Sequence, residues 1–173
     1  MVYVFAILLC VALDQAVKLF TVARLDLYEA APLLPGIVEL RYIQNTGGGF
    51  SILTGHTWLL VVATVIVMAG LAYLMVKKYF PHPLGMWMLA LVLGGGIGNL
   101  IDRVRLGYVV DMFNLQFMNY PVFNVADIFV VCGTIGFAVY YLLLHDKAVA
   151  KLQAEKPAEE ALDNGSDETA GEQ

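Results

Sequence analysis

The sequence predicts a mainly α membrane protein: four transmembrane helices with a small β-rich segment outside the membrane. Of 173 residues, 60% are hydrophobic and only 14% charged, too apolar for a soluble domain of this size. Three stretches, residues 57–76, 84–101 and 128–144, carry no charge, and about 20 helical residues cross a ~30 Å hydrocarbon core. Between the first and second spans, residues 26–56 turn to Pro, Gly and alternating β-branched and aromatic residues.

The first span, residues 1–25, is apolar except for Asp14, Gln15, Lys18, Thr21 and Arg24. A cleaved signal peptide has a basic start and an uncharged apolar core, and this segment has neither, so it reads as a span. Asp14 and Lys18 stand at i and i+4, one turn apart on one face, with Gln15 beside them. A charge at the centre of a spanning helix costs about 2.5–3.5 kcal/mol on insertion scales, so this face is expected to meet protein rather than lipid. The pair either pins the helix to its neighbours or belongs to a site.

In residues 26–56, Pro32, Pro35 and Gly36 break helix, and Ile37-Val38-Glu39-Leu40-Arg41-Tyr42-Ile43 alternates as a short strand. Asn45-Thr46-Gly47-Gly48-Gly49-Phe50 follows, where glycine permits the close backbone approach of a turn or a substrate-contacting rim. Residues 57–76 are apolar all round, a scaffold helix. Lys77, Lys78, Pro81 and Pro83 form a short basic hairpin to the third span. In that span Gly94-Gly95-Gly96 and Gly98 expose backbone for close helix packing. Asn99, Asp102 and Arg103 share one face where the apolar zone ends. Asp111-Met112-Phe113-Asn114-Leu115-Gln116-Phe117 mixes aromatic and amide residues, suiting a segment at headgroup level. Tyr120-Pro121 makes a turn, and Phe123-Asn124-Val125-Ala126-Asp127 leads into the fourth span.

The net charge of −5 is unevenly spread, since seven of the fifteen acids lie in residues 155–172. Residues 148–173 are expected to be a disordered acidic cytoplasmic tail, and residues 1–147 a single four-helix transmembrane domain. Without residues 155–172 the remainder is mildly basic, nine basic against eight acidic residues, with no sign of nucleic-acid binding. Cys10 and Cys132 fall inside spans and are expected as buried thiols. His56, His82 and His145 are scattered at span ends, no zinc motif is present, and no metal or other cofactor is expected. Lysine and arginine counts on the two sides of the spans are nearly level. The Lys77-Lys78 hairpin and both termini are placed in the cytoplasm, with Arg24, Arg41, Arg103 and Arg105 on the far side held by carboxylates. That makes the β-rich segment extracytoplasmic.

The chemistry points to Asp111 and Asp127, 16 residues apart and each preceded by apolar residues. A loop between the last two spans brings both acids to one spot near the membrane surface. Two carboxyls in a partly desolvated pocket cannot both ionise, so they share a proton. One then takes a proton from water while the other supplies one to a carbonyl oxygen or leaving nitrogen, which is peptide hydrolysis without a metal. Ser51 and Thr54 lack a histidine with a clear orienter. Asn45, Asn99 and Asn124 are candidates to orient the acids, and Arg103 to fix a carboxylate or hold a peptide backbone. Proton-coupled transporters also carry intramembrane acids, but Asp102, Asp111 and Asp127 fall at one membrane side, where a relay has no path across. The other rival is a module whose polar residues only glue helices together.

Taken together, Asp14-Gln15 with Lys18, Asn45 with Gly47 and Phe50, Gly95-Gly96 with Gly98-Asn99 and Asp102-Arg103, Val109-Val110-Asp111, and Phe123-Asn124 with Ala126-Asp127 form an ordered set. With these the chain resembles lipoprotein signal peptidase, the signal peptidase II family of bacterial membrane aspartyl proteases, over residues 13–144. The resemblance implies a four-helix enzyme of the bacterial cytoplasmic (inner) membrane with a β-rich cradle and active site at the outer face. It implies removal of the signal peptide from prolipoproteins whose lipobox cysteine carries diacylglyceryl. Asp111 and Asp127 match the catalytic pair. Asp14, Asn45, Gly47, Asn99, Asp102, Arg103 and Asn124 match its supporting and substrate-binding residues, as does Lys18, whose role is less defined. The implied partners are prolipoprotein substrates, membrane lipid and globomycin-type cyclic peptide inhibitors, and the chain is expected as a monomer. One departure is Gly47-Gly48-Gly49, where the family more often has alanines.

Overall fold

The computed structural model describes residues 1–48 and 55–170, with side chains through residue 154. Four helices and three strands follow in the order α1 (Val2–Arg24), β1 (Ala30–Leu34), β2 (Val38–Asn45), α2 (Thr57–Val76), α3 (Pro83–Leu106), β3 (Val109–Leu115) and α4 (Val125–Ala170). All four helices contain stretches long and apolar enough to cross a membrane. The expected architecture, mainly α with a small β-rich element, is what the chain adopts.

Helix α3 is the hub. Half of its apolar stretch is buried inside the protein, against 6% for α2, whose sides are left to face lipid. The glycines explain how three helices reach it. A Cβ on Gly94 would stand 2.5 Å from Cys10 Cβ of α1, one on Gly95 would strike the Ala126 carbonyl of α4, and one on Gly96 would meet Met68 of α2. Helix association in lipid rests on close packing rather than on a hydrophobic difference, so these small residues set the interaxial distances. At its N-terminus α3 is capped by His82, whose Nδ1 accepts from Leu84 N–H at 3.1 Å, with Pro83 at the first helical position. Gly107, at φ 82°, closes the other end.

The strands form one antiparallel sheet in the order β1-β2-β3. Residues 111–115 of the run read from sequence as a headgroup-level segment belong to β3. Val110 and Met112 point to one face while Val109 and Asp111 point to the other, a period of two hidden by the amides that follow. Tyr42, Val110 and Met112 are buried together, with Val17 and Leu25 packed against them, so the back of the sheet rests on α1 and the residue after it. Facing away from that core are Ile43 opposite Asp111 and Asn45 opposite Val109. This register puts Asn45 diagonally across from Asp111.

One expectation differs: Cys10 is buried, but Cys132 is exposed on α4; as a small apolar group on a span it is compatible with lipid. Helix α4 continues after residue 147 to Ala170. At 1.5 Å per residue that helix is about 69 Å long, so it projects well beyond a ~30 Å hydrocarbon core.

Candidate active site

The site lies where the C-terminal end of α3, the N-terminal end of α4, and the sheet converge beside α1. It is built outward from Asn124. This residue precedes α4, and its Oδ1 accepts from Asp127 N–H at 2.9 Å while Asp127 Oδ2 accepts from Asn124 N–H at 3.1 Å. The reciprocal pair is a capping box: two N–H groups that the first turn leaves without helical partners are satisfied by the two side chains. Asp127 is thereby fixed in the first turn, where the helix dipole favours a negative group. An isolated bridge between Phe113 and Phe123 ties the preceding residue to β3. That contact sets Asn124 over the strand that bears Asp111.

Both carboxyls are then bound by amides. Asn124 Nδ2 donates to Asp111 Oδ1 at 2.7 Å and Asn45 Nδ2 to Asp111 Oδ2 at 3.0 Å. Asn99 Nδ2 donates to Asp127 Oδ1 at 2.8 Å. Asn124 spends its second amide proton on Asn99 Oδ1 at 3.0 Å. Asn45 Oδ1 accepts from Gly47 N–H at 2.9 Å, which turns the chain at the end of β2. Of the two roles the sequence offered Arg103, fixing a carboxylate or holding a peptide backbone, no hydrogen bond to a carboxylate is made among the described residues: Nη2 donates to the Gly47 carbonyl at 3.0 Å, and the buried Nε has no hydrogen-bond partner among them.

Behind this layer sits a buried charge cluster. Lys18 Nζ lies 2.9 Å from Asp14 Oδ2, 3.0 Å from Asp102 Oδ2 and 2.9 Å from Asn99 Oδ1. Asp14 is wholly buried and Lys18 and Asp102 almost so. The sequence left open whether the Asp14–Lys18 pair was a helix pin or part of a site; it joins α1 to α3 and also touches the amides that hold the acids. Gln15 is the residue that sequence reasoning assigned no role. Its Nε2 donates to Asp102 Oδ1 at 2.9 Å and approaches the Gly98 carbonyl at 3.2 Å. The signal was its position three residues before Lys18, on the same face.

A cavity of about 550 Å³ opens onto these groups. Asn45, Asn99, Arg103, Asp111, Asn124 and Asp127 supply its polar wall, and Val109, Val122, Phe123 and Val131 supply apolar wall. All ten singled-out residues are thus gathered, Asp14, Lys18 and Asp102 behind the wall and Gly47 at its edge. Gly49, Phe50, Ser51 and Thr54 lie outside the described residues. Burial, with the Asp127 carboxylate nearby, pushes the Asp111 carboxyl up to about 7, against the amides of Asn45 and Asn124 and the charge of Lys18, which favour its ionised form. Near neutral pH one acid of the pair therefore holds a proton much of the time.

Residues 6–143 match the protein family Peptidase_A8, described as Signal peptidase (SPase) II. The chain is 46% identical over 136 residues to "Lipoprotein signal peptidase" of Streptococcus pyogenes serotype M2 (strain MGAS10270), covering 77% of this chain and 88% of that protein. The same figures, at 45% identity, hold for the protein of that name from serotype M5 (strain Manfredo). A solved structure titled "Bacterial membrane enzyme structure by the in meso method at 2.3 A resolution" superposes with a TM-score of 0.77 at 25% identity, over 84% of this chain and 89% of that one. A second, with the same title at 1.9 Å, has the same fold at a TM-score of 0.76 and 24% identity, over 83% and 94%. With the family match spanning most of its length, the chain belongs to the signal peptidase II family and is a multi-pass membrane peptidase.

Proposed function

We propose that this enzyme is an intramembrane aspartyl endopeptidase that removes the signal peptide from diacylglyceryl-modified prolipoproteins, cutting on the N-terminal side of the lipobox cysteine. The observation that carries the reading is the joint anchoring of Asp111 and Asp127 by Asn124 on the wall of one cavity. Asp127 takes a proton from water, and the resulting hydroxide attacks the scissile carbonyl carbon. Asp111, protonated near neutral pH, gives its proton to the carbonyl oxygen. Collapse of the tetrahedral gem-diol breaks the C–N bond as Asp127 gives the proton to the leaving nitrogen, the cysteine amine of the product, while Asp111 takes back a hydroxyl proton from the gem-diol, so both acids return to their starting states. Asn99 and Asn124 keep donors on the acids throughout, as preorganised dipoles.

Arg103 is anchored to the Gly47 carbonyl and has Nε–H to spare, which suits it to receive a backbone carbonyl of the substrate beside the end of β2. Asn45 and Gly47 then form the rim along which the extended signal peptide lies. The apolar wall and the surrounding lipid accommodate the acyl chains, and a globomycin-type cyclic peptide competes for the same space. The enzyme works as a monomer in the bacterial cytoplasmic membrane, with both termini in the cytoplasm and the site near the outer face.

Cleavage of a purified diacylglyceryl-modified precursor, followed by mass measurement of precursor and product, tests this reading. Asp111→Asn and Asp127→Asn each insert and fold but give no product. Product from both variants overturns the assignment of the acids.

A further inference from the structure

Lys18 makes three contacts, one for each proton of its ammonium: Asp14 Oδ2, Asp102 Oδ2 and Asn99 Oδ1. Each leads to the acid pair by a different path. Asp14 uses its other oxygen to accept from Ala126 N–H at 2.9 Å, the amide just before Asp127. Asp102 accepts from Val110 N–H at 3.1 Å, the amide just before Asp111. Asn99 donates directly to Asp127. A single cation therefore lies between two carboxylates that each grip the backbone next to one of the two acids.

The contact with Asn99 also decides a direction. An asparagine amide has an accepting end and a donating end, and an ammonium can only donate. Lys18 thus forces Asn99 to turn its oxygen inward and its NH₂ toward Asp127. That oxygen also accepts from Asn124 Nδ2, and the direction of Asn124 is itself held by Asp127 N–H on its oxygen. Without the ammonium the Asn99 oxygen loses one of its two donors, and a reversed Asn99 presents oxygen to the Asp127 carboxylate. We propose that Lys18 is the positioning residue of the site, fixing the spacing of Asp111 and Asp127 through Asp14 and Asp102 and the direction of the Asn99 amide. It touches neither acid, and the inference rests on these two acids being the catalytic pair.

The charged groups that face Lys18 are Asp14 on its own helix and Asp102 on α3, with the Asp111 carboxylate on β3 within its electrostatic reach; Arg103 on α3 acts on Asp111 and on its partner Asp127 on α4. Removing the ammonium leaves the acid pair with less positive charge nearby and fewer assured donors, and both changes favour its protonated form. The acids then hold their shared proton to higher pH.

The test compares the purified full-length enzyme with Lys18→Met and with the Asp14→Asn/Lys18→Met double variant, which removes one charge of each sign so that the buried cluster keeps its net charge. Cleavage of the diacylglyceryl-modified precursor is followed as kcat and KM from pH 5 to 9, alongside thermal midpoints. In either variant kcat is expected to fall about 10²-fold with KM little changed, as when a preorganised donor to the reacting groups is lost. The alkaline limb of the pH profile is expected to move upward. If Lys18→Met does not fold, the double variant decides. Wild-type kcat in a folded variant, or a lowered kcat with an unmoved pH profile, overturns the proposal. Asp111→Asn and Asp127→Asn run in parallel: if they cleave, the catalytic pair is misassigned, whereas inactive acid variants beside a wild-type-like Lys18→Met fault the positioning role alone.

Discussion

Asn124 Nδ2 stands 2.7 Å from Asp111 Oδ1, while the same residue's backbone N–H and side-chain oxygen close a capping box with Asp127. One asparagine therefore does two jobs that substitution separates. Asn124→Ser retains a side chain that caps α4 but is too short to reach Asp111. It is expected to melt within a few degrees of the parent and to lose about 10²–10³-fold in kcat, the scale for removing one preorganised donor. Asn124→Ala loses the cap as well and gives up roughly a further 1 kcal/mol of stability. Thermal melts and precursor cleavage on the two variants distinguish the roles.

The Asp111 carboxyl, pushed up to about 7, makes both rate and stability depend on pH. Its folded value lies above the unfolded one, about 3.9, so the folded chain binds this proton more tightly. The group's contribution to stability is then full below about pH 4 and is lost as pH rises through about 7, an effect of at most roughly 4 kcal/mol. Asp111→Asn removes that dependence and is expected to melt higher than the parent at pH 8, while the two converge near pH 4. On the proposed mechanism, in which Asp111 donates a proton to the scissile carbonyl, that proton is lost over the same upper range, so kcat is expected to decline above about pH 7. A pH–rate profile flat from 6 to 9 contradicts this role.

The spans were legible because charge is so costly in hydrocarbon that its absence over 17 or more residues leaves few other readings. That these polar residues gather in one place was legible because a polar group in a span needs a partner, and Asp14 with Lys18 and Asn99 with Asp102 recur at helical spacing. Strand β3 was not, since its alternation is interrupted by Asn114, whose amide bonds to Glu39 across the sheet, as does that of Gln116 just past the strand. Gln15 was overlooked because a single amide beside two charges attracts no notice until its acceptors, Gly98 and Asp102, are seen to come from another helix. The target of Arg103 was a backbone carbonyl, which no side-chain pattern reveals.

Aromatic groups mark both ends of the bundle. Tyr3 and Trp87 meet edge to face at 5.2 Å at the end away from the site, and Trp58 is exposed at the site end of α2, as interfacial anchors on two membrane faces. Reporters fused after Lys78 and after Gln153 are expected to read cytoplasm. One inserted at Gly36, in the exposed turn between β1 and β2, is expected to read outside. A split between Lys78 and Gln153 removes the four-span arrangement, because an even number of crossings separates neither of them from the other.

Gly98 offers a check on how closely α1 must approach the site. An added Cβ there would stand 2.5 Å from Asp14 Oδ2, the carboxylate that holds the amide before Asp127. Alanine within a helix ordinarily gains about 1 kcal/mol over glycine, and at Gly70, where nothing lies within 4 Å of the new methyl, Gly70→Ala is expected to be neutral or stabilising. Gly98→Ala is expected to do the reverse, since Asp14 is wholly buried and cannot swing into water. Shifting it breaks its bond to Ala126 N–H and its ion pair with Lys18 together, so kcat falls at least 10-fold and the melting point drops. Gly94→Ala, whose methyl meets Cys10 rather than a charged group, is expected to lower stability while sparing kcat per folded molecule. Equal kcat losses at Gly94 and Gly98 would mean that the distance between α1 and α3, and not the placement of the Asp14 carboxylate, governs the rate.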